Sequence, residues 1–451
     1  MPRSARPRLT RSRALLVALL TLALAFTGGA GAHAFDWPRD PAMRPVPEAV
    51  VTTKVAEAAI VTKLDSLLAR GGLGKAYSLR VVDVESGRVI AGRKDTTARI
   101  AASNTKLFTA VAALDTLGKN TRFTTKVTRQ GKSKVVTLVG GGDTRLTNAK
   151  LRSLATTTAK ALRAKVPART KGKRVVRVHL DDTRYQGAAT KLKSWREGGY
   201  RLSVIQPVRS VMRSAGRHQD AAASAAKYLA KQLDNKLPKS WVVRYDGRMA
   251  SPKKAKTVAT ARSATVAALV RRMLLVSDNQ VAEGLHREIA LAAGRKPTFA
   301  AGAKVATQVA KKYGVDMRGA TLADGSGLSP RNTLTPRALT DVLRAVADPA
   351  NVALRPILYG KEALPVAGVS GTLAAKGYYR FQQPAARCAV GEVVAKTGSL
   401  DWERALSGLT VGEDGRLKAF SVVANKLSSY GDRSTAVATL DHVAAVVHGC
   451  A

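Results

Sequence analysis

The most informative stretch of the chain is Ala101-Ala102-Ser103-Asn104-Thr105-Lys106-Leu107-Phe108-Thr109. Branched residues over 77–91, interrupted by a Ser86-Gly87 turn, precede it and predict a β-hairpin. Apolar residues then repeat at helical spacing from 107 to 117 and stop before a glycine, which predicts a helix. Ser103 therefore stands where the helix begins. Residues three apart share a helix face, so we expect Lys106 to reach its hydroxyl.

Two later motifs complement this pair. Ser277-Asp278-Asn279 lies between predicted helices at 260–276 and 280–293, and Lys396-Thr397-Gly398 ends a predicted strand. Each motif is weak alone, since S-x-x-K recurs at Ser224–Lys227 and Ser251–Lys254. All three in this order, each on a suitable element, are far less expected by chance, and they predict one shared active site.

The residue types fit nucleophilic catalysis. A serine hydroxyl is a poor nucleophile until a base takes its proton. We predict Ser103 as the nucleophile and Lys106 as the base, kept neutral by burial or by a nearby cation. Lys396 would be that cation, and Ser277 would relay the proton to the leaving amine.

Other motif residues are predicted to hold substrate. Asn279 would bind a substrate amide through its two-sided hydrogen bonding, and Thr397 would hold a substrate carboxylate. Gly398 would let substrate lie along the strand edge without a Cβ clash. The N–H groups of Ser103 and Ser399 would form the oxyanion hole, where losing one donor costs on the order of 3 kcal/mol in the transition state.

The first residues are typical of a secretory leader. Five arginines within 1–13 precede an apolar run at 14–26, and Ala32-His33-Ala34 fits a cleavage site. The apolar run is short for a membrane span of about 20 residues. We therefore expect cleavage near Ala34, an extracytoplasmic mature protein that is secreted or wall-associated, and no stable membrane span.

The chain has 451 residues and a formal net charge of +44. Such charge usually suggests nucleic-acid binding, but export argues against that partner. A positive net charge can attract anionic wall polymers at long range. The simpler interpretation is that the charge only keeps the protein soluble. Cys388 and Cys450 predict either a disulfide, in an oxidising compartment, or two free thiols. Two cysteines without a CxxC or HExxH motif predict no metal site.

With these motifs the sequence resembles the penicillin-binding protein and serine β-lactamase superfamily. It is most similar to the class C low-molecular-mass branch, the penicillin-binding protein 4 type of D-Ala-D-Ala carboxypeptidase/endopeptidase. The shared runs also include Val139-Gly140-Gly141-Gly142-Asp143, Asp324-Gly325-Ser326-Gly327-Leu328-Ser329 and Lys396-Thr397-Gly398-Ser399-Leu400. The 174 positions from Ser103 to Ser277 fit this branch, which has a large insertion there.

The resemblance implies an α/β fold of the β-lactamase/transpeptidase type. An antiparallel sheet flanked by helices and an all-helical subdomain would form the catalytic domain, residues 35–118 and 258–451. A large β-containing, basic insertion would span 119–257. The resemblance also implies acyl-enzyme chemistry on peptidoglycan stem peptides and D,D-crosslinks without a cofactor. β-Lactam antibiotics would acylate the same serine.

One subsite of the family is altered in this sequence. In relatives an Arg directly after the Asp-Gly-Ser-Gly-Leu-Ser run, with an Asp of the inserted domain, grips the end of a diaminopimelate side chain. Here Pro330 takes that place and Arg331 follows. Asp182 is the candidate for the acidic residue.

Three other functions remain open. A class A β-lactamase would need a carboxylate beyond the S-x-N motif to activate water, yet no Glu occurs between Glu288 and Glu362. A Ser-His-Asp hydrolase is disfavoured because G-x-S-x-G is missing. A non-catalytic, basic wall-binding protein with a vestigial site is disfavoured by the intact motif residues.

Overall fold

The computed structural model describes residues 49–164, 174–195 and 201–451 of the chain. The predicted leader, 1–34, lies outside these residues. The strands are β1 (Ala76–Asp83), β2 (Val89–Arg93), β3 (Arg99–Ile100), β4 (Arg122–Arg129), β5 (Val135–Val139), β6 (Asp143–Leu146), β7 (Arg174–Asp181), β8 (Val211–Arg213), β9 (Trp241–Arg248), β10 (Lys256–Thr265), β11 (Thr333–Leu334), β12 (Val393–Ser399), β13 (Arg404–Val411) and β14 (Leu417–Asn425).

The helices include three segments of four residues, α9 to α11. In chain order they are α1 (Ala49–Ala69), α2 (Thr105–Leu117), α3 (Asn148–Arg163), α4 (Ala221–Asp234), α5 (Val266–Leu275), α6 (Asn279–Ala292), α7 (Phe299–Lys312), α8 (Pro336–Ala347), α9 (Arg355–Leu358), α10 (Ala375–Tyr378), α11 (Pro384–Arg387) and α12 (Tyr430–His448).

The first sheet unites strands from both ends of the described chain. Its order is β12-β13-β14-β1-β2, and all neighbouring strands are antiparallel. Residues of α1 and α12, such as Leu64 and Val443, pack with sheet residues such as Phe420 in one apolar core. Because β1 pairs with β14, the strand that carries Lys396 is held in the same sheet as the hairpin that precedes Ser103.

A helical group stands beside this sheet. Helix α2 packs against α5, α6 and α7, so the helix that follows Ser103 contacts the one that begins at Asn279. An antiparallel sheet with flanking helices and a helical group confirms the expected α/β fold class. The prediction of a helix over 260–276 was wrong at its start. Residues through Thr265 belong to β10, and the Thr265 side chain then caps α5 by accepting from the Ala268 N–H.

A second sheet lies between β2 and β12 in the sequence. Its order is β10-β4-β5-β7-β9, with β5, β7 and β9 parallel to one another. Helices α3 and α4 share its apolar core, where Leu154, Leu180 and Leu229 are buried. Its strands run from Arg122 to Thr265, so the sheet extends past the predicted boundary at 257. The division into domains stays a prediction.

Within residues 49–164, 174–195 and 201–451, no helix combines the length and apolar character that crossing a membrane requires. Within the same ranges, no group of three or more His, Cys, Asp or Glu side chains is arranged to hold a metal ion.

Candidate active site

Ser103 and Lys106 meet at the start of α2. Residues Ala102–Asn104 form a short 3-10 turn that leads directly into the helix, so the two side chains lie on one face. The Lys106 Nζ lies 2.9 Å from the Ser103 Oγ. Lys106 is fully buried, which is unusual for a lysine and indicates a site-specific role.

The other neighbours of Lys106 fix the direction of proton transfer. Its Nζ donates to the Asn279 Oδ1 at 2.7 Å and to the Ser326 carbonyl oxygen at 2.6 Å. Both oxygens only accept hydrogen bonds. A neutral amine therefore spends its two N–H groups on them, and its lone pair faces the Ser103 hydroxyl. This geometry suits a general base.

The electrostatics of the site favour that neutral form. Burial lowers the pKa of Lys106 to about 8, although the carboxylates of Asp324, Glu283 and Asp278 oppose the shift. Loss of hydration disfavours a buried ammonium, and the three acids limit how far the pKa falls. About a tenth of the Lys106 amine is then neutral at pH 7, far more than for an exposed lysine.

The turn at 324–329 is fastened from two sides. The Asp324 carboxylate accepts from the N–H groups of Gly327 at 2.7 Å and Ser329 at 2.8 Å, and from the Trp195 indole at 2.8 Å. The Glu283 carboxylate accepts from the Ser326 N–H at 2.8 Å. These contacts hold the Ser326 carbonyl against Lys106. Sequence reasoning missed this carbonyl, although the Asp-Gly-Ser-Gly run marked the turn.

Lys396 enters the site from β12 and is also fully buried. Its Nζ donates to the Thr397 carbonyl oxygen at 2.9 Å. Burial, with repulsion from Lys106 and Arg380, holds the pKa of Lys396 well below its usual range. The Thr397 hydroxyl lies 2.7 Å from the Thr372 hydroxyl, a neighbour that the sequence did not reveal.

Two glycines, one in the Lys-Thr-Gly motif and one in the Asp-Gly-Ser-Gly turn, pack closely against the backbone just before Ser103 because they lack a Cβ. A Cβ at Gly398 would lie 2.4 Å from the Ala101 carbonyl oxygen, and one at Gly327 would lie 1.9 Å from the Ala102 carbonyl oxygen. Glycine is therefore required at Gly398 by the chain's own backbone, and its predicted role beside the substrate stays a prediction. Ala102 itself has a φ of +48°, a conformation costly for any residue with a side chain.

The S-x-N motif forms the loop before α6. Ser277 has a φ of +55°, backbone strain of the kind that clusters at functional sites. Its hydroxyl has no hydrogen bond to Ser103 or Lys106 within the described residues. Asp278 caps α6 by accepting from two N–H groups. The Asn279 Nδ2 donates to the Val204 carbonyl oxygen at 3.2 Å, which turns the Oδ1 toward Lys106.

The predicted acidic residue Asp182 lies elsewhere. Its carboxylate accepts from Arg209 at 3.2 Å and from Arg248 at 3.1 Å, and lines a cavity of about 470 Å³ with them. Arg331 lines a different cavity of about 610 Å³. The structure therefore does not bring Asp182 and Arg331 into one subsite, and the charge of Asp182 is already compensated.

The last predicted residues lie at the edges of the site region. Ser399 is exposed at the end of β12, where it pairs with Arg404 of β13. Cys388 and Cys450 form a disulfide with a Cα–Cα distance of 6.0 Å. This bond ties the segment before β12 to the end of α12.

A serine in contact with a buried lysine, beside an antiparallel sheet that supplies a second lysine, is the arrangement of a known class of enzymes. The chain is an active-serine enzyme of the penicillin-binding protein and serine β-lactamase superfamily. Its fold resembles the crystal structure of penicillin binding protein 4 from Haemophilus influenzae, with a TM-score of 0.65 and 22% identity over 84% of this chain and 97% of that one.

The sequence comparisons define the family within this class. The D-Ala-D-Ala carboxypeptidase 3 (S13) family matches residues 60–227 and 207–447. Carboxypeptidase DacB of Mycolicibacterium smegmatis is 34% identical over 97% of this chain and 95% of that protein. A carboxypeptidase of Mycobacterium tuberculosis is 30% identical over 87% of this chain and 86% of that protein. The chain belongs to the D-Ala-D-Ala carboxypeptidase 3 (S13) family.

Proposed function

We propose that this protein is a serine-type D-Ala-D-Ala carboxypeptidase and D,D-endopeptidase that acts on peptidoglycan peptides and is inhibited by penicillin. One observation carries the proposal: Lys106 contacts the Ser103 hydroxyl, while two oxygens that can only accept take its other hydrogen bonds. Membership of the family supports the same substrate.

Acylation starts with the proton of Ser103. The Lys106 amine takes it as the Ser103 Oγ attacks the carbonyl carbon of the D-Ala-D-Ala bond. The N–H groups of Ser103 and Ser399 stabilise the resulting oxyanion. The proton then passes through Ser277 to the leaving amine, the C–N bond breaks, and the acyl group stays on Ser103.

Substrate recognition and deacylation use the remaining motif residues. The buried Lys396 amine donates a hydrogen bond to the Thr397 carbonyl oxygen and fixes this part of the strand, and the Thr397 hydroxyl holds the terminal carboxylate of the substrate. Asn279 exchanges its contact with Val204 for an amide of the peptide. Water, deprotonated by Lys106, then attacks the acyl carbon and releases the shortened peptide with Ser103 restored. A crosslink cut by the same steps gives endopeptidase activity.

Penicillin labelling of Ser103→Ala tests this proposal. Labelling and release of D-Ala should both disappear in Ser103→Ala and persist in Ser251→Ala, whose serine also begins an S-x-x-K motif. Mass spectrometry of digested muropeptides separates loss of terminal D-Ala from cleavage of crosslinks. Labelling that survives in Ser103→Ala would contradict the assignment.

The same experiment distinguishes a β-lactamase. The acids nearest Lys106 are already engaged, since Asp324 and Glu283 accept backbone N–H groups and Asp278 caps α6. We therefore expect the penicilloyl group to leave slowly. Rapid turnover of a chromogenic cephalosporin would favour a β-lactamase. Wall binding without any labelling would favour a non-catalytic wall protein.

The inserted stretch supports an extracytoplasmic setting among anionic wall polymers. Residues 119–257 carry 34 Lys and Arg against seven Asp and Glu. A cavity of about 890 Å³ beside α4 is lined by basic residues including Arg213, Arg217, Lys227 and Lys231. Retention on purified wall polymers should fall steeply as salt rises, because exposed charges are screened. Retention independent of salt would contradict this partner.

A further inference from the structure

An exposed cluster of aromatic and cationic side chains follows the strand that carries Lys396. Trp402 is 47% exposed and Tyr430 is 80% exposed. The Arg433 guanidinium lies 5.1 Å from the centroid of the Trp402 ring and 5.5 Å from that of the Tyr430 ring. We call Trp402, Tyr430 and Arg433 the aromatic platform.

Backbone contacts hold the aromatic platform in place. Arg433 donates to the Asp401 carbonyl oxygen at 3.1 Å and to the Ser429 carbonyl oxygen at 3.3 Å. The Trp402 carbonyl oxygen accepts from the Leu427 N–H at 3.1 Å. The turn after β12 and the start of α12 are thus joined by the arginine. An arginine held in this way loses little conformational freedom when a ligand binds.

Few aromatic side chains are exposed within the described ranges: they are Tyr378, Tyr379, Trp402 and Tyr430. Two of these four, Trp402 and Tyr430, share a contact with the same guanidinium, that of Arg433. Clustered exposure of large rings marks an interaction site.

The aromatic platform lies close to the bond that is cut. Trp402 follows Ser399 by three residues, so their Cα atoms are at most about 11 Å apart at 3.6 Å per residue. Gly398 packs against the backbone of Ala101, two residues before the nucleophile. Trp402 is therefore within reach of a polymer whose peptide is bound beside Ser103.

From these observations we propose that the aromatic platform binds a sugar ring of the glycan strand to which the stem peptide is attached. The exposed surface that Trp402 and Tyr430 keep beside Arg433 suits the apolar C–H face of a pyranose. The Asp401 carboxylate and Arg433 offer partners for sugar hydroxyl, amide and carboxylate groups. Asp401 is exposed, and its carboxylate would repel anionic lipid headgroups, so a glycan is a better ligand here than an anionic membrane. The inference rests on the proposed function for the identity of the polymer.

The test compares binding and turnover in Trp402→Ala and Tyr430→Ala. Peptide-free glycan strands serve as the binding probe, followed by tryptophan fluorescence or calorimetry. The Kd for these strands, and the KM for glycan-linked pentapeptide, should rise about fivefold to tenfold, since a ring contact contributes about that factor. The kcat, the KM for a short soluble D-Ala-D-Ala peptide, and penicillin acylation should change less than about twofold.

Two control variants make the comparison specific. Tyr430→Phe keeps the ring and should retain wild-type glycan affinity. Tyr313→Ala removes a ring that also lies beside a cation, Lys312, but directly follows α7, and it should leave glycan affinity unchanged.

Distinct outcomes overturn the inference. The first is that the wild-type protein does not bind peptide-free glycan. The second is that the KM for the short peptide rises in the variants as much as the KM for glycan-linked pentapeptide. The third is that the variants lose binding to anionic phospholipid vesicles but keep their affinity for glycan. Failure of the proposed function has a different signature: wild-type protein would then show neither penicillin labelling nor D-Ala release, whatever its glycan affinity.

Discussion

The rate of acylation by penicillin should follow the deprotonation of Lys106. Only the neutral amine can accept the proton of Ser103, and burial places its pKa at about 8. The neutral fraction is then about 1% at pH 6, about 9% at pH 7 and about 91% at pH 9, from the standard titration relation. The acylation rate should rise about tenfold from pH 7 to pH 9 and level off above.

An ordinary lysine would give a different profile. With a pKa near 10.4, the rate would rise about a hundredfold from pH 7 to pH 9 and continue to rise beyond. The position of the plateau therefore measures how strongly burial acts on Lys106. Stopped-flow measurement with a fluorescent penicillin gives the rate at each pH, and circular dichroism checks that the protein stays folded.

Lys106→Arg provides the matched variant. A guanidinium does not lose its proton in this range, so acylation should be lost at every pH although a cation remains near Ser103. A rate that is flat between pH 6 and pH 9 in the wild type would refute the reasoning. Appreciable acylation by Lys106→Arg would refute it too.

Three further changes have defined outcomes. Glu283→Gln removes a carboxylate that raises the pKa of Lys106, so the midpoint of the acylation profile should move below pH 8; an upward shift would contradict this. Gly398→Ala forces a Cβ against the Ala101 carbonyl oxygen, so it should lower the free energy of unfolding by about 1–3 kcal/mol and slow acylation. Gly431→Ala is the control: its Cβ would have no contact shorter than 3.6 Å, so neither quantity should change. Cys450→Ser opens a disulfide between residues 62 positions apart and should cost about 4 kcal/mol in denaturant unfolding; an unchanged midpoint would show that the bond adds no stability.

Local sequence was sufficient for the elements that carry the motifs. Apolar spacing placed the helix after Ser103, which the structure has at Thr105–Leu117. Branched residues placed the strand that ends in Lys396-Thr397-Gly398, observed at Val393–Ser399. Periodicity failed at 260–265, because β10 pairs with β4 there and strand pairing outweighed the helical pattern.

The contacts between motifs could not be read from residue types. The Ser326 carbonyl is a backbone group, and every residue has one, so nothing marked it as a partner of Lys106. The sequence did not show that the Asp182 carboxylate is paired, because its partners Arg209 and Arg248 lie 27 and 66 residues away. Nothing in the Lys-Thr-Gly motif indicated that a Cβ at Gly398 would meet the Ala101 carbonyl oxygen.

Residue identity and spacing alone predicted which side chains carry the chemistry, because a nucleophile, an amine base and a second amine are recognisable as chemical types within short motifs. The family and the class of fold follow from the same motifs. Tertiary structure alone decided the charge state of Lys106 and the direction of its lone pair. Both depend on removing the amine from water and on oxygens supplied by chain segments about 170 and 220 residues away, which no local pattern encodes.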